Sequence, residues 1–228
     1  MLGELNKRVY FTLFLFCVII EIGEFMIPKR IIYCWFGGKE KPQGVINCMN
    51  TWKQFMPDWE YLEINESNFD VHYNKYVEDA YNNKAWAFVS DVARLWALYE
   101  YGGIYMDTDV LVYQPLDKFL NHEFFTGFEQ THYPVTATMG AKQGNTLIKE
   151  MLDIYNIKTF ETHENWHEYE TNTVIMSDII GKYIDRDRVE YQEVDGIAIY
   201  PRHTLCYSEE QSEEVYTRHL MFGIWVEK

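Results

Sequence analysis

The chain has 228 residues, enough to bury a substantial core in one large domain or two small ones. Its composition, 47% hydrophobic and 17% aromatic, is that of a globular protein and excludes a disordered one. A net charge of −15 argues against a nucleic-acid partner, because phosphate binding needs lysine and arginine; a polyanionic ligand would require a bridging divalent cation.

The 18 tyrosines and 7 tryptophans supply flat faces with polar handles. Such faces suit sugar and nucleobase stacking as well as a core rich in rings. Cys17, Cys34, Cys48 and Cys206 form no CxxC pair. A reduced cytoplasmic protein is the simplest reading, with neither a zinc site nor a disulfide framework.

Lys7 and Arg8 precede the uncharged run VYFTLFLFCVII, residues 9–20. The run is too short for an ordinary span and lacks a clear cleavage site. Residues 1–25 are therefore read as a non-essential extension or a peripheral membrane anchor, in preference to a secretion signal. The compact domain is expected over 26–228, with a cytoplasmic location, at the inner face of the membrane if the anchor operates.

From Met26 onward the pattern alternates. RIIYCW (30–35) reads as a strand ending at Gly37-Gly38, and QGVINCMNTWKQF (43–55) as a helix stopped by Pro57. EYLEI (60–64) alternates like a strand, and residues 74–82 form a short helix. A long helix from Ala85 to Tyr101 is closed by Gly102-Gly103, and one strand is expected from Ile104 through the run IYMDTDVLV. The second half is less regular. Strands are expected at 122–129, 135–141, RVEYQ (188–192) and GIAIY (196–200), and helices at 147–157 and 171–183. Residues 161–170 and the acidic SEEQSEE read as loops. Strands separated by helices indicate an α/β sheet with parallel members.

Residues 85–99, AWAFVSDVARLWALY, carry only two charges, Asp91 and Arg94. Three residues apart, they share a helix face with Phe88, Leu95 and Leu98. A helix apolar nearly all round is buried, so the two charges form either a structural ion pair or a cleft lining that presents polar atoms to a ligand.

In an extended strand, Tyr105, Asp107 and Asp109 point one way. Two carboxylates on one face repel each other unless a proton or cation lies between them. Oxygen ligands favour Mg²⁺ or Mn²⁺, and phosphate oxygens commonly complete such a coordination shell. The pair also lies toward the C-terminal end of a strand, where open α/β sheets bind ligands. The plain alternative is a strand end entering a polar turn.

Taken together, IPKRIIYCWFGG and WAFVSDVARLWALYEYGGIYMDTDV resemble glycosyltransferase family 32. These are sugar-nucleotide-dependent enzymes related to capsular-polysaccharide and mannosyl transferases and, more distantly, to the clostridial glucosylating toxins. The resemblance runs from about Met26 to the C-terminus and is densest to residue 120. The linked set SD-x-x-R, GG-x-Y-x-D-x-D is far more specific than any of its pieces.

The resemblance implies a GT-A fold, a Rossmann-like mixed sheet flanked by helices in a single domain with a variable C-terminal half. The first half, 26–112, would bind the nucleotide-sugar; the second, 113–228, would bind the acceptor and close the site. Carried over residue by residue, Asp109 would bind the metal directly, and Asp107 would hold the ribose and reach the metal through water. Asp91 and Arg94 would grip the donor sugar, Trp35 would stack on the base, and Ser90 and Tyr105 would lie near the nucleotide. The family often ends in a segment like His-His-Phe-Ala-Gly-Ser-Trp, which closes over diphosphate and metal. Here HLMFGIW keeps His219, Gly223 and Trp225 in register, while Leu220 and Ile224 replace a histidine and a serine. His219 is thus either a metal ligand or a satisfied surface histidine.

The activity implied is retaining transfer of a hexose from a nucleotide-sugar, expected to be UDP-linked, with Mn²⁺ or Mg²⁺. The acceptor would be a saccharide or lipid-linked saccharide in surface polysaccharide synthesis. The alternatives are a catalytically decayed nucleotide-sugar binder and, less well supported, a phosphatase of the haloacid-dehalogenase type. The phosphatase motif normally opens its domain and needs a downstream lysine and a second acidic pair.

Overall fold

The structure is a computed structural model in which residues 26–130, 133–162, 171–207 and 212–223 are described. The extension 1–25 and Trp225 lie outside the described residues. Among the described residues, no helix is long and apolar enough to cross a membrane.

Nine strands are described: β1 (Arg30–Cys34), β2 (Glu60–Ile64), β3 (Gly103–Met106), β4 (Val110–Val112), β5 (Phe124–Gln130), β6 (Tyr133–Ala141), β7 (Gln192–Val194), β8 (Ile197–Tyr200) and β9 (Thr217–His219). Seven form one sheet in the order β2-β1-β3-β6-β5-β8-β7, and β4 pairs with β9 in a separate ribbon. β1 runs parallel to β2 and β3, and β5 runs parallel to β8. β6 is antiparallel to both β3 and β5, and β7 is antiparallel to β8, so the sheet is mixed. This is the doubly covered α/β architecture expected from the alternating pattern.

Strand periodicity sorts the apolar residues onto the two faces. Ile32, Cys34, Tyr105 and Phe124 enter one cluster. It is covered by α2 (Lys75–Asn82), α3 (Trp86–Tyr101), α4 (Thr146–Ile157) and α5 (Asn172–Ile180). Their neighbours Ile31, Tyr33, Ile104 and Phe125 enter the other. There they pack with Trp52 of α1 (Gln43–Phe55), the β4–β9 ribbon, and α6 (Arg202–Leu205). Trp52 is completely buried, and its indole N–H donates to the Val110 carbonyl at 2.7 Å, tying α1 to β4. Asn74 caps α2 by accepting from the Val77 amide, and Asn145 caps α4 by accepting from the Leu147 and Ile148 amides.

Two expected strands are redrawn. The run from Ile104 is not one strand: β3 stops at Met106, and the Val110 amide donates to the Asp107 carbonyl at 3.1 Å across a turn. β4 then leaves the main sheet to pair with β9. The RVEYQ strand falls instead at Gln192–Val194, in register with Ile197–Ile199, whose alternation it mirrors across a turn at Asp195-Gly196.

The double glycine sets the geometry of the site. Gly102, at φ +62°, ends α3 with its amide on the Leu98 carbonyl, and Gly103, at φ +134°, starts β3 on the way back. A Cβ on Gly103 would lie 2.8 Å from the Arg30 carbonyl oxygen in the neighbouring strand. Gly103→Ala therefore meets a fixed backbone atom in a conformation that favours glycine. It should lower unfolding free energy by more than about 2 kcal/mol in denaturant titration, as sites combining strain with overpacking do.

Candidate active site

Why the motif residues meet follows from the rise of the two elements that carry them. A helix advances about 1.5 Å per residue and a strand about 3.3 Å. Arg94 lies seven residues before the end of α3, and Asp107 lies four beyond Gly103. Both are thus about 10–13 Å from the glycine hairpin, at the same level.

Arg94 is buried between them. Its Nη2 lies 3.1 Å from Asp91 Oδ1, and its Nη1 lies 3.4 Å from Asp107 Oδ1. Nη1 also donates to the Thr136 carbonyl at 3.1 Å, and Nε donates to the Ser90 carbonyl at 3.2 Å. The guanidinium carbon stands 4.5 Å from the centre of the Tyr105 ring. The Tyr105 hydroxyl donates to Asp107 Oδ1 at 2.7 Å. Burial opposes the charge on Arg94, but Asp107, Tyr105 and Asp91 together hold its pKa above the ordinary value. Burial pushes the Asp91 carboxyl up to about 6, against the pull of Arg94, with Asp107 adding to the rise.

Asp109 reaches the same place through the Asp107–Thr108–Asp109 turn rather than along one extended strand. Its Oδ1 lies 3.3 Å from His219 Nε2, and its Oδ2 accepts the Phe222 amide at 2.8 Å. The Leu220 amide donates to its main-chain carbonyl at 3.0 Å. Burial opposes ionisation of Asp109, but His219 and the Phe222 amide outweigh it and hold the carboxyl below its usual range. Burial likewise opposes charge on His219, yet Asp109, Cys206 and the charge of Asp107 raise it to about 10. His219 Nδ1 is buried without a hydrogen-bond partner.

Ligand atoms of Asp107, Asp109 and His219 all lie within 4.8 Å of one another, the one such group among the described residues. Two carboxylates and one imidazole fit a hard to borderline divalent cation such as Mn²⁺ or Mg²⁺. An excess of negative charge remains at this point, with Arg94 the cation already committed to the protein.

The other expected site residues lie at varying distances from this centre. Ile32 is in register with Tyr105, so Cys34 is level with Asp107, and Trp35 stands one residue beyond on the adjoining strand end. The Trp35 indole donates to the Lys39 carbonyl at 2.7 Å, and the Lys41 ammonium lies 5.3 Å from its ring centre. The Ser90 hydroxyl is turned onto its own helix, donating to the Trp86 carbonyl at 2.9 Å.

Glu129, at the end of β5, was not singled out by the sequence. It is half-buried, and burial raises its pKa while His219 and Arg202 lower it and Asp107 raises it. No periodicity or spacing marks it in the sequence.

Residues 42–126 match the family described as "Glycosyltransferase sugar-binding region containing DXD motif". The match runs from α1 past the aspartate pair into β5, less than half of the chain. No curated protein matches the chain. Among solved structures, "PaToxG Glycosyltransferase" is similar at 16% identity, with 69% of each chain covered and a TM-score of 0.52. A "glycosyltransferase involved in the glycosylation of the major capsid of PBCV-1" aligns over 85% of this chain and 94% of its own, at 10% identity and a TM-score of 0.49. The chain thus has a glycosyltransferase-like fold with a DXD sugar-binding region, and the phosphatase alternative gains no support.

Arg94→Lys tests the network directly. A lysine keeps the charge but cannot reach Asp91, Asp107, Ser90 and Thr136 with one planar fork. Leaving buried carboxylates partly unpaired should cost about 2–4 kcal/mol in denaturant unfolding, well beyond the effect of a surface arginine.

Proposed function

We propose that the protein is a metal-dependent, retaining hexosyltransferase of the family-32 type, using a UDP-linked donor and a saccharide or lipid-linked saccharide acceptor. The observation that carries this reading is the convergence of Asp107, Asp109 and His219 at the C-terminal end of β3, next to a buried Asp91–Arg94 pair. Its support is the match of residues 42–126 to a DXD sugar-binding region.

In this reading Asp109 and His219 would hold the cation, His219 giving up its proton as it binds, and Asp107 would complete the set or take the ribose. The cation would neutralise charge on the departing diphosphate as a Lewis acid. Trp35, at the adjoining strand end, offers the base a flat surface. Asp91 faces the donor sugar. Arg94 is a positioning residue, because its N–H groups are engaged by the protein itself. The acceptor hydroxyl oxygen would bond to the anomeric carbon, the bond from that carbon to the phosphate oxygen would break, and the hydroxyl proton would leave with the departing diphosphate. The segment Leu220–Gly223 crosses Asp109 and would form part of the wall that excludes water from donor and metal. The surface-polysaccharide role and peripheral membrane association rest on the family resemblance and on residues 9–20.

Two measurements test the assignment. Asp109→Asn should abolish Mn²⁺-stimulated UDP release from UDP-hexose, a loss of at least ~100-fold, with an unchanged circular dichroism spectrum. Retained activity would remove Asp109 from the metal site, and UDP binding by the native chain without turnover would identify a decayed binder. Trp35→Ala should raise the donor KM by about tenfold and change kcat little, because base stacking is uniform binding. An unchanged KM would place the base elsewhere.

A further inference from the structure

Seven arginines occur in the chain, and six fall within the described residues: Arg30, Arg94, Arg186, Arg188, Arg202 and Arg218. Four of them are in ion pairs, with Glu60, Asp91 and Asp107, Asp178, and Glu190 respectively. Arg202 and Arg218 have no ion-pair partner among the described residues. Both instead lie against one ring: their guanidinium carbons are 4.9 Å and 5.2 Å from the centre of Tyr207. A third cation, Lys118, lies 5.0 Å from the centre of Tyr216 and 5.9 Å from that of Tyr200.

These groups form a row. Tyr216 and Arg218 are two apart and share one side of β9, opposite His219, which points to the candidate metal site. Arg218 and Arg202 meet at Tyr207. Arg202 acts electrostatically on Glu129, which also feels Asp107 and His219. The row Lys118–Tyr216–Arg218–Tyr207–Arg202 therefore runs along the ribbon beside the candidate metal site, which it does not join. It is unusual for a chain of net charge −15 to gather the two arginines without ion-pair partners among the described residues at one ring.

A guanidinium stacked on a ring keeps its N–H edge free for a planar oxyanion, and a carboxylate accepts such an edge through two parallel bonds. Aromatic faces between the cations suit pyranose rings. The spread of charge along a row suits a polymer with repeated charges better than one phosphate.

We infer that this row is an acceptor subsite for an acidic, hexuronate-bearing saccharide. This rests on the hexosyltransferase reading above. The electrostatic reason is that the rest of so acidic a surface repels such an acceptor, so a cationic row without ion-pair partners among the described residues is what draws it to the site.

The test uses the full chain and calorimetric titration with a galacturonate hexamer, a neutral maltohexaose, and vesicles containing anionic phospholipid. The galacturonate hexamer should bind, about tenfold more weakly at ~300 mM than at ~50 mM NaCl, and maltohexaose should not. The Arg202→Gln/Arg218→Gln variant should lose at least ~tenfold in that affinity, and Arg202→Lys/Arg218→Lys, which keeps the charge but not the two-bond edge, should recover only part of the loss. Acceptor-free UDP release should be unchanged in both variants, and thermal melting should show both folded. Equal binding of the neutral hexamer, undiminished binding by the glutamine variant, or binding of vesicles in place of the saccharide would overturn the assignment. So would a raised donor KM, which would place these guanidiniums on the diphosphate. Absence of UDP release from the native chain would instead sink the transferase reading while leaving saccharide binding to be judged by its own titration.

Discussion

A single buried guanidinium holds the site together. Arg94 lies between the carboxylates of Asp91 and Asp107, against the face of Tyr105, with two main-chain carbonyls taking its remaining N–H groups. Burying a charge this completely costs several kcal/mol unless it is well matched, and here two carboxylates and two main-chain carbonyls meet it. The consequence is rigidity: α3, β3 and β6 are pinned to one another at the level where the aspartate pair begins. The same cation moderates the repulsion between Asp91 and Asp107, as His219 does for Asp109.

That arrangement was largely legible in the sequence because it is built from local rules. Gly102-Gly103 ends a helix and starts a strand, and the rises of those elements bring Arg94 and Asp107 level. Three-residue spacing puts Asp91 and Arg94 on one face, and strand parity puts Tyr105 beside Asp107. The part that was not legible is tertiary. IYMDTDVLV alternates like a single strand, and nothing in it resembles a glycine or proline turn. The break at Asp107–Asp109 occurs because Val110–Val112 finds β9 as a partner more than a hundred residues later, and Trp52 fixes the Val110 carbonyl. The Thr136 carbonyl that receives Arg94 is a backbone group, invisible to any reading of side chains. Glu129 carries no periodic signal, and Arg202 and Arg218 are sixteen residues apart until β9 folds beside α6.

The β4–β9 ribbon has a second effect. It pairs Val110, one residue beyond Asp109, with His219, so strand pairing brings the candidate ligands Asp109 and His219 together. Beyond β9 the chain turns at Met221, whose φ of +53° is costly for a residue with a side chain. The return for that strain is visible: it places the Phe222 amide on Asp109 Oδ2. Without a cation, the amide and the imidazole between them satisfy the carboxylate. With one, the same oxygen is where the charge of the metal would be felt. The C-terminal segment is thereby coupled to the state of Asp109 through one hydrogen bond, whatever residues 220 and 224 contribute.

The two faces of the ribbon divide the electrostatic labour. The side bearing His219 faces a cluster of carboxylates, which attracts a cation and repels a bare polyanion. The side bearing Tyr216 and Arg218 presents positive charge over aromatic rings. A nucleotide diphosphate can approach the first only in company with a metal, whereas an acidic saccharide needs no cation to approach the second. Strand alternation keeps the two binding problems on opposite sides of one short strand. Under the proposed assignments, such a partition would let a nucleotide-sugar donor and an acidic acceptor, both negatively charged, meet at one site without competing for the same cations.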